Sequence, residues 1–384
     1  MAPEAATTDT SDILLAPRLP LRRRVLYAVL AFVLQTFVIG PATTLRSWKQ
    51  RRTPTDAVPT LIKTYAARPR LPVSIFFPTS YNQDDHSQAQ RRLPLLLSIH
   101  GGGFFVGEPS NNDAFNYHFA QQNRALVVAL NYAKSPRNAF PGPILDLQVL
   151  IDAVLADATL TAHFDPAKVA ITGFSAGGNL ALAVSQIPAI RERITAGVVP
   201  FYPPVDFTKS TAAKAATRRY KPALGGSRGA EKDGLAGMAG FFDWAYMPAG
   251  QDLRDPLLSP YFADRAALPR RIWVIGCELD MLGHEAWRAA CRWAGKPVPA
   301  MDEPLGDAEP VGALVTEGDE RFAFEVREGQ GQGDKESVVK WLCVPDAGHA
   351  FESAAGMGGD EAAVQDGLVK RDVLITMLGK WLFG

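Results

Sequence analysis

The apolar positions of this chain fall into short dense runs separated by stretches with helical spacing. The dense runs are Pro72–Pro78, Leu93–His100, Ala125–Leu130, Val169–Thr172, Ala196–Tyr202, Arg271–Cys277 and Val338–Val344. Each is four to eight residues long and bounded by Gly, Pro or polar residues, which predicts strands buried on both faces. Between them, Pro143–Leu160 carries Ile144, Leu147, Leu150, Ile151, Val154 and Leu155 on one side, the spacing of an amphipathic helix. Asn179–Gln186, the segment after Asp280 and Glu361–Leu382 also read as helices. Strand patterns alternating with helix patterns predict an α/β fold: a mostly parallel central sheet with helices on both faces. Ligands of such sheets bind at the carboxyl ends of the strands.

Three stretches interrupt the alternation. Residues Met1–Pro20 are small and polar, Arg22-Arg23-Arg24 follow, and then no charge occurs from Val25 to Leu45. That stretch is just long enough to cross a bilayer, and basic residues flank it on both sides (Arg46, Lys49, Arg51 and Arg52 beyond it), so no orientation is set. It predicts either a membrane-associated helix or an amphipathic helix laid over the site as a cap. Residues 1–52 are therefore set apart as a tail and hydrophobic helix, and 53–384 form the domain proper. Within that domain, residues 207–254 read as a cap insertion around the aromatic segment Met238–Met247, where helical burial of Phe241, Trp244 and Tyr246 would build a cap and line an acyl pocket, each of the three taken singly reading as cap core. Residues 296–335, rich in Pro, Gly and acidic residues, read as a surface insertion with one short strand, Phe322–Val326. Such a loop should be removable, for example from Pro299 to Gly333, without loss of folding.

Composition narrows the function classes. Lys+Arg 40 against Asp+Glu 40 leaves no net charge, so neither nucleic acid nor a polyacid is implied as a partner. Cys277, Cys291 and Cys343 are too few and too scattered for a disulfide framework or a zinc site, and no metal is expected. No Asn-x-Ser/Thr sequon occurs, which favours an intracellular location, cytoplasmic or at a membrane.

One stretch commits itself to chemistry. Val169–Thr172 is a buried-strand pattern, Gly173-Phe174-Ser175-Ala176-Gly177 a sharp turn, and Asn179 begins a helix. Gly-x-Ser-x-Gly in that setting lifts a serine hydroxyl above the sheet with a helix N-terminus behind it. The same pattern recurs at Gly225-Gly226-Ser227-Arg228-Gly229, with no strand before it and no apolar helix after it, so Ser227 reads as a flexible-loop serine. A nucleophilic serine needs a base in contact, an acid that orients the base, and donors for an oxyanion. His349 follows the last strand in Asp346-Ala-Gly-His-Ala-Phe351 and is the predicted base. Cys277-Glu278-Leu279-Asp280 ends an earlier strand; Asp280 is the predicted acid, since a loop can aim it, whereas Glu278 lies nearer buried positions. His100-Gly101-Gly102-Gly103 directly follows a strand, which predicts an oxyanion hole from the amides of Gly102, Gly103 and Ala176, with His100 and Gly101 supporting the loop.

These motifs together resemble the hormone-sensitive-lipase-like branch of the α/β-hydrolases. The resemblance rests on His100-Gly-Gly-Gly103, Gly173-Phe-Ser-Ala-Gly-Gly-Asn179, Asp255-Pro-Leu-Leu-Ser-Pro260, the Asp280 segment and His349-Ala-Phe351, with Asn131–Pro141 similar to the branch's Asp-Tyr-Arg-Leu-Ala-Pro-Glu-x-x-Phe-Pro segment. It runs from about Pro72 to the C-terminus. It implies a cofactor-independent serine carboxylesterase with a helical cap, acting on small-molecule esters with short to medium acyl groups through a Ser175-His349-Asp280 triad. The same machinery also serves amide and lactone hydrolysis, and the branch includes a non-catalytic hormone receptor that lost its histidine, which is present here as His349. Asn131 in place of the branch's Asp, Phe174 before the serine and the long interval from Asp280 to His349 depart from the pattern. Neither oligomeric state nor natural substrate is implied.

Overall fold

The computed structural model describes residues 14–41, 57–83, 92–329, 336–353 and 360–384. Its centre is a sheet of strands β1 (Leu61–Lys63), β2 (Val73–Phe76), β3 (Leu93–Ile99), β4 (Leu126–Leu130), β5 (Phe164–Phe174), β6 (Gly197–Phe201), β7 (Arg271–Cys277), β8 (Ala323–Glu328) and β9 (Ser337–Val344), in the order β1-β2-β4-β3-β5-β6-β7-β9-β8. The strands from β4 to β9 run parallel; β1 and β2 on one edge and β8 on the other are antiparallel. The apolar runs thus sit in the middle of the sheet, as runs without a polar face must. Along β3, Leu95, Leu97 and Ile99 enter one core and Leu96 the other, the alternation of a strand with two covered faces.

Six of the longer helices matter for the site. Gly142–Ala156, Ala176–Val184 and Gly283–Trp293 contribute Ile144, Leu180 and Trp287 to the first core; Asp113–Asn123 and Glu361–Phe383 contribute Phe119 and Leu374 to the second. The sixth, α1 (Leu21–Val33), continues as a π-helical stretch to Ile39 and belongs to neither core.

Two expectations change here. Among the described residues no helix is long and apolar enough to cross a membrane, so the spanning reading of 25–45 is not supported; residues 42–45 lie outside the described part. Instead α1 packs on the cap: Tyr27 meets Phe241 and Trp244 edge-on at 5.4 Å, and Gln35 donates to the Ser135 carbonyl at 2.8 Å. The segment 296–335 is not a simple surface insertion either. Leu305, Phe322 and Phe324 are buried in the first core, β8 pairs with β9, and backbone amides of Asp307, Val311 and Gly312 bind buried carboxylates under the site. Its polar composition concealed this because its main contribution is backbone amides, which composition does not register.

Candidate active site

Ser175 stands between the end of β5 and the helix Ala176–Val184, at φ 54° and ψ −120°. That strained conformation is tolerated because the chain around it leaves no alternative. The flanking glycines are steric necessities: a Cβ on Gly173 would lie 2.0 Å from the Gly177 carbonyl oxygen, and one on Gly177 2.3 Å from that of Ile99. Ala176 is the first helical residue, so its amide has no acceptor within the helix.

The sequence-predicted residues meet here. His349 Nε2 lies 2.9 Å from Ser175 Oγ, and its Nδ1 lies 2.7 Å from Asp280 Oδ2. Asp280 is fully buried, and its other oxygen accepts from the Leu282 amide at 3.0 Å, so one carboxylate both closes this turn and meets the imidazole. Burial alone would lower the His349 pKa, but the charge and hydrogen bond of Asp280 outweigh it and raise the imidazole above its ordinary value. The Tyr202 ring packs 4.6 Å from the imidazole, and its hydroxyl donates to Glu352.

The glycine loop is held from below. Neutral His100 directs Nδ1 at the Gly101 carbonyl oxygen, 2.7 Å away, which makes Nε2 the acceptor for the Lys134 ammonium at 3.2 Å. Burial and then the Lys134 charge keep this imidazole well below its usual pKa, and burial lowers Lys134 to about 7. Lys134 also donates to Asn131 Oδ1 at 2.9 Å, so at Asn131 an amide oxygen does the accepting. Gly102 (φ 116°) and Gly103 (φ 57°) cannot carry side chains; a Cβ on Gly103 would strike the Phe242 ring at 2.6 Å.

Gly103, Ser175 and Ala176 share a cavity of about 60 Å³ walled by Phe207, Ala239 and Phe242, with Lys214 and Asp243 also on its lining. The aromatic segment therefore does wall the pocket, but through Ala239, Phe242 and Asp243. Phe241 and Trp244 pack against α1, and Tyr246 stacks on Phe104 at 3.6 Å, so these three are cap core. Ser227 is exposed on a short helix, Gly226–Gly229, and its carbonyl accepts from Arg218; it lines a separate cavity behind His349 and takes no part in the Ser175 contact. Among the described residues no cluster of three or more His, Cys, Asp or Glu could hold a metal ion.

One group was missed in the sequence. Lys221 is wholly buried, donating to Glu278 at 2.9 Å and to Asp346 at 2.7 Å. Glu278 lies two residues before Asp280 and Asp346 three before His349, so one ammonium ties together the loops carrying Asp280 and His349. Glu278 also accepts from the amides of Asp346 and Asp307, and Asp346 from those of Val311 and Gly312. Burial would raise the Asp346 carboxyl, but Lys221 and these amides hold it below its ordinary value. The available signal was Glu278 itself: a carboxylate at the end of a buried strand needs a cation, and the sequence does not say which.

Comparison with known proteins agrees with this architecture. Residues 96–304 match a family described by its α/β-hydrolase fold. The carboxylic ester hydrolase LipN of Mycobacterium tuberculosis is 28% identical over 218 residues, 53% of this chain and 54% of that protein. An acetyl-hydrolase of Streptomyces hygroscopicus is 30% identical over 215 residues, 54% and 65% of the two chains. The chain spans about half or less of the length of most of the curated relatives it matches, 28% of bovine arylacetamide deacetylase, for instance. A solved esterase from Pyrobaculum calidifontis superposes with TM-score 0.60 at 22% identity over 95% of this chain and 98% of that one, a likeness of fold.

Proposed function

The chain belongs to the hormone-sensitive-lipase-like group of the α/β-hydrolase fold family, and from that premise we propose that it is a serine carboxylesterase for short to medium acyl esters. The observation that carries the reading is the line of contacts from Asp280 through His349 to the strained Ser175, 2.7 and 2.9 Å long, beside the Ala176 amide, which has no acceptor within its helix. Ser175 Oγ attacks the ester carbonyl as His349 Nε2 takes its proton, while the buried Asp280 carboxylate stabilises the imidazolium. The amides of Gly102, Gly103 and Ala176 receive the oxyanion. The imidazolium returns the proton to the departing alcohol oxygen. A water, deprotonated by the same nitrogen, then cleaves the acyl-enzyme and frees Ser175. The 60 Å³ cavity walled by Phe242 supports a short acyl chain. Names of relatives such as acetyl-hydrolase and carboxylic ester hydrolase point the same way.

A fluorophosphonate probe followed by peptide mapping tests this. Label is expected on Ser175 alone, and Ser175→Ala should lower kcat for p-nitrophenyl acetate or butyrate by several powers of ten, roughly to the level left by oxyanion and binding contacts. Ser227→Ala should stay within about a factor of two of the parent. Label on Ser227, or a fully active Ser175→Ala, would overturn the assignment.

A further inference from the structure

The outer face of α1 is bare. Tyr27, Ala31 and Leu34 pack toward the cap, yet nine large apolar side chains from Leu21 to Val38 stand exposed, among them Leu21 (72%), Leu26 (60%) and Phe37 (65%). Exposed apolar surface of this density on one helix marks an interaction site. Charge identifies the partner. Arg22, Arg23 and Arg24 open the helix, are exposed, and make no ion pair among the described residues. From Ile13 to Thr55 the sequence contains eight basic residues (Arg18, Arg22, Arg23, Arg24, Arg46, Lys49, Arg51, Arg52) and no Asp or Glu. A second copy of this face would set like charges together. An anionic lipid surface satisfies both halves at once, taking the apolar side chains into its acyl boundary and the arginines among its headgroups.

We propose that α1 is a monotopic docking helix that lies in the plane of an anionic bilayer. It is held there from the protein side by the cap, which explains why it need not be long enough to cross. A groove of about 950 Å³ runs between residues 14–19 and the cap, lined by Arg24 of α1 and by Asp243, which also lines the Ser175 cavity. Docking therefore brings this groove, which shares Phe207, Lys209, Thr211 and Asp243 with the Ser175 cavity, to the lipid interface. Resting on the esterase reading, the substrate is an ester that partitions into the bilayer.

The test is sedimentation of the full chain with phosphatidylcholine vesicles, with and without phosphatidylglycerol. Binding should be at least about tenfold tighter to the anionic vesicles, since each arginine near such a surface adds to the attraction. Leu26→Glu with Phe37→Glu should abolish sedimentation and leave turnover of a dissolved p-nitrophenyl butyrate unchanged, which also reports that the variant folds. The same variant should lose activity on the butyrate ester of a long-chain alcohol dissolved in the vesicles, a substrate whose acyl group still fits the Ser175 cavity. Ser175→Ala should sediment like the parent, so failure of the esterase assignment leaves this measurement intact. A parent protein that stays in the supernatant, equal binding of parent and Leu26→Glu/Phe37→Glu, or a dimer in solution that those substitutions convert to monomer would overturn the proposal.

Discussion

His349 carries two opposed influences whose balance sets the pH response. A general base must be neutral in the free enzyme, so kcat/KM falls as pH drops through its pKa. Burial pushes that pKa down and the Asp280 carboxylate pushes it up; the second wins, so the acidic limb should lie above the ordinary histidine value of 6.5. In Asp280→Asn the largest upward influence is gone, leaving burial opposed only by the lesser charges of Asp233 and Glu352. The acidic limb should move to lower pH while the plateau drops by about two to four powers of ten, because the imidazolium loses its stabilising charge and its tautomer is no longer held. A pH series of kcat/KM on both proteins checks this; a limb that does not move would mean that Asp280 is not the partner of the base. At this scale the sequence was most informative. The meeting of Ser175, Asp280 and His349 was legible because each closely follows the carboxyl end of a strand, and such ends on a parallel sheet converge in space. Lys221, Lys214 and Asp243 were not legible, since they lie in an excursion whose path over the sheet no periodicity encodes.

Elements that looked dispensable hold the site together. Lys221 from the cap excursion, Glu278 after β7, Asp346 after β9 and the amides of Asp307, Val311 and Gly312 form one buried polar knot. Removing one member of such a knot leaves a buried charge without its partner, a loss of about 3–5 kcal/mol. Lys221→Met should accordingly lower the urea midpoint by that much stability and reduce kcat/KM, because Glu278 and Asp346 then repel each other on the loops that carry Asp280 and His349. Adding Glu278→Gln should recover part of the stability by removing one of the two stranded charges. Deletion of Pro299–Gly333, harmless if composition were the guide, should abolish soluble expression: it strips three amides from the two carboxylates and removes β8 from the edge of β9. Stable expression of that deletion would show that the knot is not needed for folding. The central strands were readable from their apolar runs. β1 escaped because three residues, two of them exposed, make no pattern, and the role of 296–335 escaped because main-chain donors have no signature in side-chain composition.

The whole molecule is two cores on either side of one sheet, with a third, small cluster above it. That third cluster joins Ala31 of α1 to Phe105 of the glycine loop and to Phe241 and Ala245 of the cap helix Ala236–Tyr246. Among the described residues before position 53, only Ala16 enters the main cores. The α/β domain should therefore fold without them, while the cap and the loop that carries the oxyanion amides lose their common packing partner. Removal of Met1–Arg52 is expected to leave a soluble protein whose thermal transition remains cooperative. Its kcat/KM on short p-nitrophenyl esters should fall by about tenfold or more, since a displacement of about 1 Å at a reacting centre is already costly. The loss should appear more in kcat than in KM, because loosening the loop of Gly102 and Gly103 removes contacts that the esterase reading makes only in the transition state. Discrimination against long acyl chains should weaken as Phe242, whose ring abuts Gly103, gains room to move. Steady-state kinetics across acyl lengths, paired with limited proteolysis of residues 207–254, would decide the matter. A truncated protein with unchanged kcat and an intact cap would mean that α1 contributes nothing to the site and serves only the surface it faces.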